Sequence, residues 1–306
     1  MPLFHNHVGI NLTETKLQLV EISYKENLFC LENIDQLVFK DSLNPSMQDS
    51  DLIRILQDSL NRITRKKLIT SNFISFTLPN NFFKIFEIPY DDTLTRKDLI
   101  DHIRWELSVS FPMYDGKDFL IQYVEVNKSF VRPENKLIVF AVSKDIVAAI
   151  NNFCKQNKFE LKYVDNAHLA SNAFLHLDKT ISRERITFSF YIDQHFSSLA
   201  VFEGLFPFYF KIFNQNGADF FEQLKSVLET LSDINIGPEN ISRVTMCGQT
   251  VTSEFAENIS KAIGKPLVRI NPFEFLRVDE SIKINPLFST QFNSFTAATG
   301  IAIRIV

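Results

Sequence analysis

The amino-acid sequence predicts a duplicated α/β protein, two related domains facing each other across a cleft, with a smaller α/β unit inserted in the first. Three observations carry this. The order strand meander, helix, strand, helix occurs once from Val8 and again from Arg185. The first occurrence is interrupted between Pro79 and Val142 by a stretch with strands and a helix of its own. Finally, 306 residues at 45% hydrophobic content supply apolar material for two cores. The boundaries this predicts are 1–79 with 143–180 for the first domain, 80–142 for the insertion and 181–306 for the second domain, whose C-terminal helix packs back toward the first.

Taken in order, Val8 to Ile10 and Leu17 to Ile22 read as strands joined around Thr13-Glu14-Thr15, and Leu28 to Phe39 as a third, broken one. A three-stranded meander followed by a helix opens a ribonuclease-H-like layer. Leu52, Ile55, Leu56, Leu60 and Ile63 fall at helical spacing, with Ser50 as the expected cap, and Asn72 to Leu78 returns as a strand stopped by Pro79. The insertion then begins. Phe82 to Ile88 is a strand closed by Pro89, Thr95-Arg-Lys-Asp98 has capping-box spacing before a helix through Leu99, Ile103 and Leu107, and Phe119 to Val126 and Lys136 to Val142 are two more strands. Ser143 caps a helix carrying Ile146, Ile150 and Phe153, Phe159 to Val164 is a strand, and a helix from Asn166 to Leu177 leads into the polar connector Asp178 to Glu184.

The second half opens on Arg185 to Gly217. Ile186, Phe188, Phe190 and Ile192 alternate with polar residues, and the apolar runs Leu199 to Phe202 and Leu205 to Phe213 are separated by Glu203-Gly204, a hairpin signal. A helix follows from Phe220 to Leu231, then a strand from Arg243 to Cys247, a helix through Phe255, Ile259 and Ile263 stopped by Gly264, and a strand from Leu267 to Ile270. The tail from Phe295 to Arg304 combines small residues with an apolar stripe and suits a tightly packed helix.

Composition excludes several functions. A formal charge of −4 gives no long-range attraction to nucleic acid. Cys30, Cys154 and Cys247 are odd in number and widely spaced, against both a disulfide framework and a zinc knot, and in keeping with a reducing compartment. The N-terminal segment lacks the apolar core of a signal peptide, and no window is long and apolar enough to span a bilayer. A soluble, cytoplasmic protein is the expectation. His5 and His7 lack a third ligand and are not read as a metal site.

A family resemblance rests on the segment from Phe73 to Val126, with Leu78-Pro79, Ile88-Pro89, the helix bearing Ile103, Trp105 and Glu106, Phe111-Pro112 and Tyr123. Further pieces agree in order and spacing: Phe140 to Lys144, Val164-Asp165, Leu199 to Gly204, Gly217 to Phe220, Met246-Cys247-Gly248 and Ala298 to Arg304. Together they cover nearly the whole chain. The chain resembles the PilM family, actin-like proteins of type IV pilus assembly related to the division protein FtsA. The resemblance implies an actin-like fold with an FtsA/PilM-type inserted domain. It also implies binding to the N-terminal tail of a PilN-like single-span membrane protein, contacts to pilus motor ATPases or platform proteins, and attachment to the inner membrane through those partners. It leaves room for a homo-oligomer and for a type II secretion platform in place of a pilus.

The fold's nucleotide motifs are degenerate. In the first phosphate turn the resemblance puts the metal-positioning carboxylate on Asn11, the glycine on Thr13 and the later cation near Gln18. In the second, the Asp falls on Tyr191, the Gly on Asp193, and the hydroxyl pair on Ser197 and Ser198. These serines read either as relics of a phosphate contact or as loop polarity. On the adenosine side Gly217 and Gly248 remain, each beside a replaced glycine. Asn11, Ser197, Ser198, Gly217 and Gly248 are thus the vestigial cofactor-site candidates. ATP with Mg²⁺ is disfavoured and no cofactor is expected, because hydrolysis needs metal positioning and phosphate neutralisation. Asp193 and His195 read as turn residues rather than an acid–base or metal pair. The competing reading is an active actin-like ATPase or a sugar-kinase-like enzyme.

The expected work is therefore protein binding. An extended tail would run between the insertion and the first domain, with Phe82, Phe83, Phe86, Tyr114 and Tyr123 as candidate aromatic anchors. On a continuous strand Phe82 and Phe86 share one face and Phe83 takes the other. Trp105 is expected to pack against the insertion as the flank of its helix, and Lys97 and Arg104 to be solvated surface.

Overall fold

The computed structural model describes residues 6–128, 134–177, 185–214 and 218–304. It opens with an antiparallel meander of β1 (His7–Leu12), β2 (Lys16–Lys25) and β3 (Leu28–Val38). The third strand runs continuously, but its pairing with β2 slips at Glu32, between Leu31 and Asn33. Glu32, which disturbs its apolar pattern, accepts hydrogen bonds from Ser23 and Lys25 on the neighbouring strand. Helix α1 (Asp49–Thr64) buries Leu52, Ile55, Leu56, Leu60 and Ile63 against this layer, and β4 (Phe73–Leu78) returns parallel to β1. Gln48 rather than Ser50 holds the N-cap position of α1, without a side-chain bond.

The insertion is a three-stranded antiparallel sheet, β5 (Phe83–Pro89), β6 (Phe119–Val126) and β7 (Lys136–Ser143) in the order β5-β7-β6, with α2 (Arg96–Ser110) on one face. Strand alternation divides its residues between two cores. Leu137 and Val139 meet Leu99 and Ile103 of α2, while Ile138, Phe140 and Val142 turn into the large core shared with the rest of the chain. Thr95 caps α2 by accepting from the Asp98 N–H, as its spacing predicts.

After the insertion come α3 (Lys144–Gln156), capped by Ser143, then β8 (Glu160–Asn166) and α4 (Ala167–Ser171). Helix α4 is shorter than the sequence pattern predicts and gives way to a 3₁₀ turn at Ala173–His176. The Asn172 side-chain amide donates to the His168 carbonyl at 2.9 Å, taking the acceptor that a continuing helix would give to the Asn172 N–H. The expected connector, Asp178 to Glu184, lies outside the described residues.

The second half repeats the pattern with β9 (Ile186–Ile192), β10 (Phe196–Glu203), β11 (Phe206–Asn214), α5 (Ala218–Asp233), β12 (Ile241–Gly248), α6 (Ser253–Ile263) and β13 (Leu267–Arg269). The residues from Pro272 to Phe295, unassigned by the sequence pattern, add β14 (Arg277–Val278), α7 (Glu280–Lys283) and α8 (Pro286–Thr290), before α9 (Thr296–Ala302). The two large sheets have the orders β14-β3-β2-β1-β4-β8 and β11-β10-β9-β12-β13. With β14 set aside, both read third, second, first, fourth, fifth strand of their half, the duplication expected from the sequence. Helices α4 and α9 pack together where the halves meet. Their approach requires Gly300, since a Cβ there would stand 1.9 Å from the Ala170 carbonyl oxygen.

Candidate functional site

Two places bear on the expected function: the cleft floor, where the degenerate motifs converge, and a groove beside the inserted sheet. The cleft floor forms where β1 and β4 of one half end opposite β9 and β12 of the other. Asn11, at the end of β1, is wholly buried. It accepts from the Thr77 hydroxyl at 2.8 Å and donates to the Gln18 Oε1 at 3.0 Å. Gln18 donates in turn to Gln36 at 3.1 Å and to Ser294 Oγ at 2.8 Å. Gln249, from the turn after β12, donates to Gln18 Oε1 at 2.8 Å and to the Ser294 carbonyl at 3.1 Å. A neutral chain of amides and hydroxyls thus links both halves where the resemblance would place a carboxylate and a cation. Tyr191 is buried beside it, and burial, with Asp193 and Cys247 adding to it, holds the phenol pKa well above its usual value.

The two hairpin turns close the mouth. Thr13 Oγ1 accepts from the Lys16 N–H at 3.0 Å and the Thr15 N–H at 3.3 Å, so the first turn is knitted to itself. In the second, Asp193 Oδ1 accepts from the Gln194 N–H at 2.8 Å, and Thr250 Oγ1 donates to the Asp193 carbonyl at 3.0 Å. His195 Nδ1 pairs with Glu14 of the opposite turn, whose other oxygen accepts from Asn81 at 2.8 Å. Burial raises the Asp193 carboxyl to about 6, opposed by the Gln194 N–H and by Lys16 and His195, while Glu14 adds to the rise. Lys16 is itself shifted down by burial. No group of three His, Cys, Asp or Glu among the described residues could hold a metal ion.

Ser197 and Ser198 are not loop residues. The turn is shorter than the sequence suggests, and both serines are buried on β10. Ser198 Oγ receives the Asn80 amide at 2.9 Å and lies 2.7 Å from His168 Nδ1, while His168 Nε2 lies 3.2 Å from Ser189 Oγ. Asn166 donates to Asn80 at 2.8 Å and caps α4. Burial lowers His168 to about 3, so its imidazole is neutral. Gly248 ends β12 at φ 122°, and a Cβ there would stand 2.1 Å from the Ile192 carbonyl oxygen, so strand approach alone demands the glycine. Gly217 lies outside the described residues. His5 does too, whereas His7 is ordered within β1, with Nε2 2.8 Å from Ser75 Oγ.

The groove lies between two sheet edges, β6 of the insertion and β8 of the large sheet. A cavity of about 310 Å³ lined by Phe83, Leu120, Tyr163 and Val164 adjoins another of about 530 Å³ reaching Phe202, Gly300 and Ile303, and the two share Gln122, Val124, Asp165 and Leu169. Arg304 pairs with Asp165 and stands 4.6 Å from the Tyr163 ring centroid. Of the five aromatic candidates only Phe83 lines either cavity. Phe82 sits in a 3₁₀ turn before β5 rather than on the strand, and packs in the same core as Phe83. The expected shared face with Phe86 is therefore absent. Phe86 and Tyr123 pack on the α2 side, and Tyr114 is 45% exposed with Lys84 Nζ 4.6 Å from its ring centroid. Trp105 is 60% exposed and stacks on His102 instead of packing against the inserted sheet. Sequence reasoning missed Asn80, His168, Gln249 and Ser294, whose partners lie far away along the chain.

No protein-family model and no curated protein sequence matches the chain. Among solved structures, a PilM-PilN type IV pilus biogenesis complex superposes with a TM-score of 0.74 over 99% of both chains, at 16% identity. A Bacteroides thetaiotaomicron protein with an actin-like ATPase fold and unknown function matches at 0.53 and 12% identity, over 87% of this chain and 91% of that one. The fold is actin-like. No helix among the described residues is long and apolar enough to cross a membrane.

Proposed function

We propose that this actin-like chain is a PilM-like scaffold of a type IV pilus or related assembly platform, working without nucleotide, and that it holds the N-terminal tail of a PilN-like membrane protein in the β6–β8 groove. The observation that carries this is the groove itself. Two sheet edges, beyond which no further strand pairs among the described residues, flank a largely apolar channel, an arrangement that takes an extended peptide through main-chain hydrogen bonds and side-chain pockets. The likeness to the PilM-PilN complex supports the choice of partner. The neutral amide chain at Asn11, Gln18 and Gln249 supports the nucleotide-independent reading, because it offers neither a carboxylate for a hydrated cation nor a cation for phosphate. Attachment to the inner membrane then comes through the partner.

The test is fluorescence anisotropy with a labelled N-terminal peptide of the PilN-like protein from the same genome. Saturable binding is expected, weakened at least tenfold by Val124→Arg, which puts a charge where both cavities meet. If every such tail fails to bind, the reading falls; if ATP with Mg²⁺ gives saturable heat on titration, its nucleotide-independent half falls.

A further inference from the structure

The end of the first large sheet remote from the cleft carries a feature that neither the groove nor the cleft uses. There α1 runs into β4 through residues 65–72, and α3 runs into β8 through residues 157–159. The two connections lie side by side, with the Glu160 N–H donating to the Asn72 carbonyl at 2.8 Å and Asn157 exchanging amide hydrogen bonds with Gln57 at 2.8 and 3.1 Å. Arg62, Arg65, Lys66, Lys67, Lys155 and Lys158 are all exposed at this end. In a chain of net charge −4 this is a pronounced local excess of positive charge. Of the acidic groups here, Asp35 is engaged by Lys66 at 2.9 Å, Glu160 by Lys162 and Glu32 by Lys25, Asp58 lies a helical turn back on α1, and Asp279 and Glu32 both lie within reach of the Lys67 charge.

Beside the three consecutive cations Arg65, Lys66 and Lys67 stands Leu68, 75% exposed, while its neighbour Ile69 packs into the core. The segment is held firmly from below. The buried Glu21 carboxylate accepts from the Thr70 N–H at 2.8 Å, the Thr70 hydroxyl at 2.7 Å and the Ser71 N–H at 2.9 Å, and Lys67 donates to the Glu32 carbonyl. The turn thus presents an exposed leucine beside a run of cations on a backbone that is held in place.

We propose that this face docks directly on a membrane surface of anionic headgroups. The cations meet the negative surface potential, each contributing on the order of fivefold to the partition, and Leu68 reaches the acyl boundary. The exposed leucine favours lipid over nucleic acid, which would engage the charges alone. This contact is independent of the groove and adds to any attachment through a partner's tail, since two weak membrane contacts on one body reinforce each other.

The test uses the full chain and sedimentation with vesicles of phosphatidylcholine alone or with 30% phosphatidylglycerol, at low salt and with no tail peptide present. Co-sedimentation with the anionic vesicles only is expected, and its loss in about 0.5 M salt, where screening shortens the reach of charge to a few ångströms. The triple substitution Arg65→Gln, Lys66→Gln, Lys67→Gln should lower the partition by about a hundredfold and Leu68→Asn several-fold, with each variant still unfolding cooperatively on heating. If the triple variant fails to fold, the pair Lys155→Gln, Lys158→Gln, on the other connection, should lower the partition at least tenfold. Absence of binding, equal binding to both vesicles, undiminished binding by a folded variant, or retention by RNA without binding to vesicles would each overturn the proposal. Tail binding in the groove is measured separately, so either result stands without the other.

Discussion

The Thr77 hydroxyl donates to the Asn11 carboxamide oxygen at 2.8 Å, with both side chains wholly buried. The same carboxamide gives its N–H to Gln18, so both of its polar atoms are engaged by neutral partners. A carboxylate in its place would lose the donor to Gln18 and carry a charge with no cation against it. Asn11→Asp should therefore destabilise the fold by about 2–4 kcal/mol at pH 8, read from urea denaturation. Burial would raise the new carboxyl's pKa, so the deficit should shrink as pH falls and the group protonates. Calorimetric titration of this variant with ATP and Mg²⁺ should give no binding, because phosphate neutralisation is still missing.

Asp193 supplies a pH signature. Its carboxyl is raised from 3.8 to about 6 in the folded chain, so between these values the folded state holds more protons than the unfolded one. Stability from this group is complete below about pH 4 and is lost as pH rises through 6. Two units correspond to on the order of 2–3 kcal/mol. Asp193→Asn, which keeps the acceptor for the Gln194 N–H, should flatten the stability profile between pH 4 and 7 and leave the protein more stable than wild type at pH 8.

The joint between α4 and α9 should tolerate no side chain at Gly300. A methyl group 1.9 Å from the Ala170 carbonyl oxygen meets backbone on a packed helix, so one helix must move. Gly300→Ala should cost about 3 kcal/mol or more, seen as a lower midpoint in urea. Gly264→Ala meets open space but retains a φ of 74°, and should cost only about 1 kcal/mol.

How much of this was legible in the sequence follows from the range of the interactions. Periodicity located β1, β9, α3 and α6, and local capping chemistry at Thr95 and Ser143 set helix starts, because each signal lies within a few residues of its consequence. The duplication was legible for the same reason. The end of α4 was not, since it depends on what the Asn172 side chain does. The short turn that puts Ser197 and Ser198 on β10 was also missed, because Gln194 to Ser198 is polar enough to read as loop throughout. The cleft network was partly visible: Asn11 and Gln18 stood out as replacements for charged residues. Their partners Gln249 and Ser294 lie 231 and 276 positions from Gln18, and no local pattern announces which distant polar groups will meet in a core.

Ser198 and His168 provide the last test. The serine oxygen is the meeting point of Asn80 from the end of the first sheet and His168 from α4, so removing it strands two buried groups at once. Ser198→Ala should cost about 1–3 kcal/mol in urea denaturation while leaving tail affinity within twofold, because neither residue lines the groove. His168 adds a separate acid-side effect. Its folded pKa of about 3 lies below the ordinary 6.5, so its contribution is fully present above 6.5 and is lost as pH falls toward 3, when the unfolded chain takes up a proton that the folded one refuses. His168→Gln retains polar atoms but cannot titrate, so its stability should fall less steeply than wild type between pH 6.5 and 4, whatever its absolute value. An unchanged acid slope in that variant would mean that the imidazole is not buried neutral between the two halves.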